Sequence, residues 1–125
     1  MKPSTKIDKM KLKLKQLQQE RMTVRQIFYD DTKIIAGYYG KLFIRCGQPT
    51  CRCHKEGGHF ATRLSRWVGG KLKSQIVKVG DRDWVKQASD RYKLHKAALR
   101  NIQKINSKEA EFFKRLIKLK TIKYR

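Results

Sequence analysis

Thiols and imidazoles crowd into one short stretch of this sequence, and that stretch most constrains what the chain can fold into. Three cysteines and two histidines lie within the fourteen residues from Cys46 to His59. Zinc is bound in proteins by four such groups at the corners of a tetrahedron. A glycine and a proline favour a tight turn after the first thiol, and Gly57-Gly58 lets the chain reverse before His59. The stretch therefore predicts a zinc site that supplies much of the local folding free energy.

The predicted ligands are three thiolates and one imidazole: Cys46, Cys51, Cys53 and His59. His54 is the alternative fourth ligand, although its neighbour Cys53 would crowd its approach to the ion. A site with four protein ligands keeps no position for water, so it holds a fold together and does not catalyse. Two alternatives stay open: thiols without a metal, and one cysteine used in catalysis. Three clustered cysteines in a chain that begins without an apolar signal segment indicate a reducing compartment.

The segments on either side of this stretch have helical patterns. Thr5 followed by Asp8 resembles a capping box, and apolar side chains then recur every three or four residues up to Phe28. Asp81 is a good N-cap for a second helix, and Asn106-Ser107 predicts an interruption after which a further helix begins. The predicted apolar stripe of the second helix is Trp84, Ala88, Tyr92, His95, Leu99 and Ile102. The two stripes are expected to pack together as an antiparallel hairpin or across a dimer.

The middle of the chain favours strands. Residues from Ile34 to Arg45 are rich in β-branched and aromatic types, and Phe60 to Val68 forms a second candidate strand. Gly69-Gly70 is a two-residue hairpin signal, after which Lys71 to Val79 returns. We therefore predict an α+β fold: an N-terminal basic amphipathic helix, a zinc-pinned three-stranded antiparallel β-meander, and a long C-terminal basic helix or helix pair. The corresponding boundaries are residues 1–33, 34–80 and 81–125.

Positive charge is extreme and evenly spread. The chain has 32 Lys and Arg against ten Asp and Glu, a formal net charge of +22 in 125 residues. Each predicted segment carries an excess of cations, so the charge is not a basic tail on a neutral body. Such repulsion opposes compaction unless a polyanion neutralises it. No apolar run approaches a membrane span. The composition favours a nucleic-acid partner, and it argues against a deep enzyme pocket.

Alternation along the predicted strands separates an apolar face from a cationic one that carries an aromatic ring. Cations serve phosphates, and Trp67 is suited to stack on a base unless it packs under a helix. Four cations are predicted to surround Trp67: Arg63, Arg66, Lys71 and Lys73. Three cations of the cysteine-rich stretch would stabilise the zinc thiolates and are predicted also to reach phosphate: Arg45, Arg52 and Lys55. The choice between DNA and RNA stays open at this point.

The chain resembles a family of small bacterial and archaeal proteins of unknown function. Three parts of the sequence carry the resemblance: the stretch from Arg45 to Cys53, the Gly58-His59 pair and the Trp67-Val68-Gly69-Gly70-Lys71 turn. Its members show an R-C-G-x-P-x-C-x-C motif, a nearby Gly-His, and a G-K turn before a long C-terminal helix. The resemblance covers about residues 37–100. It implies that the predicted zinc ligands take the family's metal positions, and it implies a context beside transposase genes in mobile elements.

We expect a non-catalytic nucleic-acid-binding zinc protein that serves as an accessory or regulatory factor of a mobile element or as a ribonucleoprotein subunit. Its expected location is the cytoplasm, bound to the nucleoid or to a ribonucleoprotein. The first alternative is an adaptor that docks on a larger transposase or nuclease, and helix-mediated homodimers are a further possibility. The second alternative is a small magnesium nuclease that uses Asp30-Asp31, although carboxylates at this position also suit the end of a helix.

Overall fold

A computed structural model describes residues 5–44, 47–52, 55 and 57–125, with the backbone alone for Ile44 and His59. The architecture is α+β, as predicted: an N-terminal helix, a three-stranded antiparallel sheet and one long C-terminal helix. The elements in chain order are α1 (Lys6–Tyr29), β1 (Tyr38–Ile44), β2 (His59–Val68), β3 (Lys71–Ile76), a 3₁₀ turn (Val79–Asp81) and α2 (Arg82–Lys120).

The start of α1 is fixed by a local hydrogen bond. Thr5 lies just before the helix in extended conformation, and its Oγ1 accepts the backbone N–H of Asp8 at 3.0 Å. This satisfies one of the backbone donors that a helix N-terminus leaves unpaired. The predicted cap is therefore confirmed. The helix ends at Tyr29, where Asp30 adopts an extended backbone.

The described chain divides into two compact units. The helical unit contains residues up to Asp31 together with Leu94–Arg125, and the sheet unit contains Thr32–Lys93. In the helical unit, α1 and the later part of α2 pack antiparallel, since Lys13 contacts the Phe112 ring near one end and Phe28 contacts the His95 ring near the other. The predicted antiparallel packing of the two helices is therefore confirmed.

The helix α2 runs without a break through Asn106-Ser107, so the predicted interruption and helix pair are wrong. An Asn or Ser costs a helix only about 0.7 kcal/mol relative to Ala, which tertiary contacts readily offset. The guanidinium of Arg21 on α1 supplies such contacts, because it donates to Asn106 Oδ1 and to Glu109 Oε2, each at 3.0 Å.

The predicted stripe of α2 faces inward except at two of its six positions. Trp84 and Leu99 are 54% and 45% exposed, whereas their neighbours Val85 and Ala98 are at most 6% exposed. The other four members of the stripe are buried or partly buried. The prediction favoured the larger apolar residue of each neighbouring pair. The packed helix instead turns small or medium side chains inward, because they allow close approach of the adjacent backbone.

Small polar groups tie the sheet unit together. Ser89 on α2 is fully buried, and its Oγ donates to the backbone carbonyl of Gly37 at 2.7 Å. At the preceding residue, the Ala88 carbonyl accepts the backbone N–H of Ile35 at 3.2 Å. These bonds fix the segment that leads into β1 against the first turns of α2. Thr62 and Val77 complete the buried centre.

The sheet has the predicted meander order β1-β2-β3. The β2–β3 turn is formed by Gly69 and Gly70, with φ of +58° and +80°. Positive φ at both positions is the requirement of the tight hairpin turn that this dipeptide predicts. The returning strand ends at Ile76, shorter than predicted, and the 3₁₀ turn leads into α2.

Candidate nucleic-acid interface

The two faces of the sheet differ in what covers them. Thr62 and Leu64 on β2 face inward, with Thr62 fully buried and Leu64 partly buried. Alternate residues point the other way. The Ser65 and Ser74 hydroxyls meet at 2.9 Å on that second face, in agreement with their direct pairing in the register. We call this second face the open face; its described members are Tyr38, Gly40, Leu42, Ala61, Arg63, Ser65, Trp67, Leu72, Ser74 and Ile76.

Large apolar side chains on the open face are exposed. Trp67 is 67% exposed, and Tyr38, Ile76 and Leu72 are between 52% and 58% exposed. Trp67 lies directly opposite Leu72, and Arg63 lies opposite Ile76. The predicted alternative, in which Trp67 packs under a helix, is therefore wrong.

Between these large side chains the floor of the open face is shallow. It consists of a glycine, an alanine and the paired serines, and a Cβ placed on Gly40 would meet nothing within 4 Å. Arg63 stands in the middle of this floor, opposite Gly40 on one side and Ile76 on the other. The arrangement is a small platform with one central cation and an aromatic ring at its edge.

The register separates the predicted cluster around Trp67. Arg63 shares the open face with Trp67, but Arg66 pairs with Lys73 and Val68 pairs with Lys71 on the opposite face. Sequence alternation alone does not give the register between β2 and β3, and the tight turn fixes it. The hairpin tip thus presents cations on one face and an aromatic ring with a central arginine on the other.

The strands carry no acidic side chain to neutralise these cations. Between Asp31 and Asp81 the only carboxylate in the sequence is that of Glu56, whereas this segment contains ten Lys and Arg. The strands themselves therefore contribute only positive charge to the surface of the sheet. Arg52 and Lys55, from the connection between β1 and β2, are exposed, and Arg45 lies outside the described residues.

The predicted metal ligands belong to the connection between β1 and β2 or to the first residue of β2 that follows it. Cys51 is half-buried, and its backbone N–H donates to the Gln48 carbonyl at 3.1 Å. His59 pairs with Ile44 through the backbone at the point where β1 and β2 close. Cys46, Cys53 and the alternative ligand His54 lie outside the described residues. Among the residues whose placement is described, no three His, Cys, Asp or Glu side chains form a metal-binding group.

The structure also shows a feature that the sequence analysis missed, a cationic groove in the helical unit. It encloses about 350 Å³ between the start of α1 and the end of α2. Its apolar floor is made by Met10 and Leu119, and five cations surround it: Lys6, Lys9, Lys13, Arg115 and Lys118. Spacings of three and four residues within each helix were the available signal, since they place these cations on one face.

No helix within the described part of the chain combines the length and the apolar character that crossing a bilayer requires.

The family model for a domain of unknown function (DUF6788) matches residues 7–87. The chain belongs to this family. The match includes most of α1, the whole sheet and the first turns of α2, and it agrees with the unknown-function family that the cysteine motif resembles. No solved structure matches the chain.

Proposed function

We propose that this protein is a non-catalytic nucleic-acid-binding protein. One observation carries the proposal: if every carboxylate were paired with one cation, 22 Lys and Arg would still have no acidic partner within the chain. A phosphate polymer is the partner that neutralises so many cations at once and releases its counterions on binding. Cations line the strands of the sheet unit, and five more line the cationic groove of the helical unit.

The cationic groove suits a phosphate backbone. Aliphatic stems of lysine and arginine cover apolar surface while their charged ends stay in water. Met10 and Leu119 provide that surface between two helices. The Lys13 ammonium and the Arg115 guanidinium lie 5.8 Å and 5.7 Å from the centre of the Phe112 ring, which orders both side chains before a ligand arrives.

A salt titration tests the proposal. Binding to duplex DNA, single strands and folded RNA is measured by fluorescence anisotropy across a range of salt concentrations. For duplex DNA, each lost phosphate contact lowers the slope of log affinity against log salt by about 0.9. A Lys9→Gln, Lys13→Gln variant should therefore lose a slope of about 1.8. The matched variant Lys96→Gln, Lys114→Gln has the same charge change at exposed positions outside the groove and should change less. Absence of binding to all three polymers at low salt would overturn the proposal.

We further propose that Cys46, Cys51, Cys53 and His59 hold a structural zinc ion, with His54 as the alternative fourth ligand. The support is positional: all of them belong to the connection between β1 and β2 or to the strand pair that closes it. Gly57 and Gly58, both with positive φ, reverse the chain immediately before His59. A three-stranded sheet is only marginally stable without additional support, so a metal there would stabilise the interface that the strands carry.

Elemental analysis of the purified protein tests the zinc site. Cys51→Ser should lower the zinc content from about one ion per chain and should unfold residues 37–80. Thr50→Ser, the neighbouring exposed position, is the matched control and should keep the metal. A folded Cys51→Ser protein that never held zinc would contradict the site.

A role as an adaptor is the second candidate, and the exposed apolar side chains of the open face favour it. In that role the protein docks on a larger transposase or nuclease. The resemblance of the cysteine motif supports an accessory or regulatory role in a mobile element. The spread of cations equally suits a ribonucleoprotein subunit, and the clustered thiols suit the reducing cytoplasm. The adaptor predicts a stable protein complex and weak nucleic-acid binding without preference for one polymer.

A further inference from the structure

We infer that the open face binds unpaired bases of a single-stranded nucleic acid, with Trp67 as the stacking platform and Arg63 as the central cation. This inference rests on the proposed nucleic-acid binding and names the form of polymer that the sheet takes. It concerns a surface separate from the cationic groove, which lies in the other unit.

The exposed apolar area is the first argument. The open face leaves one indole, one phenol and two aliphatic side chains more than half exposed on a single small sheet. Several large apolar side chains exposed on one sheet face are a feature that ligand-binding surfaces often show. Trp67, opposite Leu72, is the most exposed of the four. A flat ring at the edge of a shallow floor leaves its π-face accessible to another flat ring.

The charge around the open face identifies the ligand class. Among the described members of this face, Arg63 is the only charged one, and its neighbours across the strands are Gly40 and Ile76, which do not neutralise it. Arg66, Lys71 and Lys73 line the other side of the same hairpin. A ligand that lies on Trp67 therefore meets cations on both sides of the hairpin. Nucleic acid combines flat apolar rings with a phosphate at every residue, which is the complement of this surface.

The flatness of the platform favours single strands over duplexes. In a duplex the faces of the bases are stacked against each other, and only their edges reach the grooves. Unpaired bases present their faces, and aromatic side chains on small sheets bind them by stacking, with little dependence on sequence. The face carries one cation in the middle and rings at its border, which suits a strand whose bases lie on the sheet.

The experiment uses Trp67 itself as the reporter. Trp84, the only other tryptophan, is replaced by Phe, so that the fluorescence of the full-length protein comes from Trp67 alone. The complementary Trp67→Phe protein, which reports from Trp84, is the matched control. Each is titrated with oligo-uridine, with oligo-thymidine and with a duplex, all of about 16 nucleotides, the upper site size of small single-strand-binding folds. We expect saturable quenching of Trp67 fluorescence by the single strands. The strand that quenches at the lower concentration shows whether the open face prefers RNA or DNA.

Substitutions separate stacking from simple apolar contact. Trp67→Ala should weaken single-strand binding by roughly 5-fold to 150-fold, which is the range for loss of one stacked base. Trp67→Phe keeps a π-face and should retain most of the affinity, whereas Trp67→Leu keeps apolar area without a π-face and should not. Trp67 is exposed, so these variants leave the fold intact, and far-UV circular dichroism checks that they do.

The outcomes distinguish this inference from the proposed function. If single strands bind but leave Trp67 fluorescence and the Trp67→Leu affinity unchanged, the inference fails while nucleic-acid binding stands. If the duplex quenches Trp67 fluorescence at lower concentration than either single strand, the hairpin binds in a groove of the duplex and the inference also fails. If no polymer binds, the proposed function itself fails.

Discussion

The buried hydroxyl of Ser89 makes the sharpest stability prediction. Its Oγ donates to the Gly37 carbonyl at 2.7 Å in a fully buried position, and this bond holds the entry of β1 against α2. Ser89→Ala removes the donor and leaves a buried carbonyl without it, at a cost of about 1–3 kcal/mol. Alanine returns about 0.5 kcal/mol through its better helix propensity. We therefore expect a net loss of about 0.5–2.5 kcal/mol in the free energy of unfolding.

Urea unfolding followed by tryptophan fluorescence measures this loss in the right place, because Trp67 and Trp84 both belong to the sheet unit. Ser107→Ala is the matched control, since it makes the same substitution in the same helix at an exposed position. It should stabilise the protein by a few tenths of a kcal/mol through propensity alone. Equal unfolding midpoints for the two variants would refute the assignment of Ser89 as a support of the sheet.

Two further predictions concern close packing and a partly buried charge. Gly37→Ala should destabilise the sheet unit by about 1–3 kcal/mol in the same urea assay, because the new Cβ would lie 2.9 Å from Leu64 Cδ1 and near a backbone carbonyl. The coupling energy between Arg21 and Glu109 should be about 1–2 kcal/mol, measured by a double-mutant cycle with thermal unfolding followed at the helical band of circular dichroism, since the arginine side chain is only 14% exposed.

Each of these has an internal control. Gly40→Ala meets nothing within 4 Å and should be neutral or slightly stabilising, so equal destabilisation by both glycine variants would contradict the packing argument. The Lys86–Asp90 pair, exposed on one helix, should show a coupling of about 0.3–0.5 kcal/mol. If the Arg21–Glu109 coupling energy is no larger than that of the exposed pair, partial burial does not strengthen the ion pair and the prediction is wrong.

Features that depend on a few neighbouring residues were predictable. The Thr5 cap of α1 needs only a hydroxyl and a backbone N–H three residues later, and the Gly69-Gly70 turn needs only two residues that accept positive φ. The meander order followed from the tendency of consecutive strands to pair and from the two-residue connection between β2 and β3. For the same reason, the end of α1 near Asp30 was predicted closely.

Features that depend on distant parts of the chain were not predictable from the pattern. The continuity of α2 past Asn106 is supported by contacts with Arg21, which lies 85 residues earlier in the chain. The inward rotation of α2 toward Val85 depends on how closely its neighbours approach. The exposure of Trp67 likewise depends on which face of β2 is covered by the rest of the chain.

By itself, the sequence determined the charge of this protein and the position of its thiols. It has an excess of 22 cations and a strand region almost without carboxylates, and every thiol lies in one connection. Charge and local turn chemistry are properties of the residues themselves and survive any arrangement of the elements. Only the tertiary structure decided which face of the hairpin is left open: the face that carries Trp67 and Arg63, not the face of Thr62 and Leu64. A shift of one residue in strand pairing exchanges the two faces, and the tight turn and the buried side of the sheet set that register together.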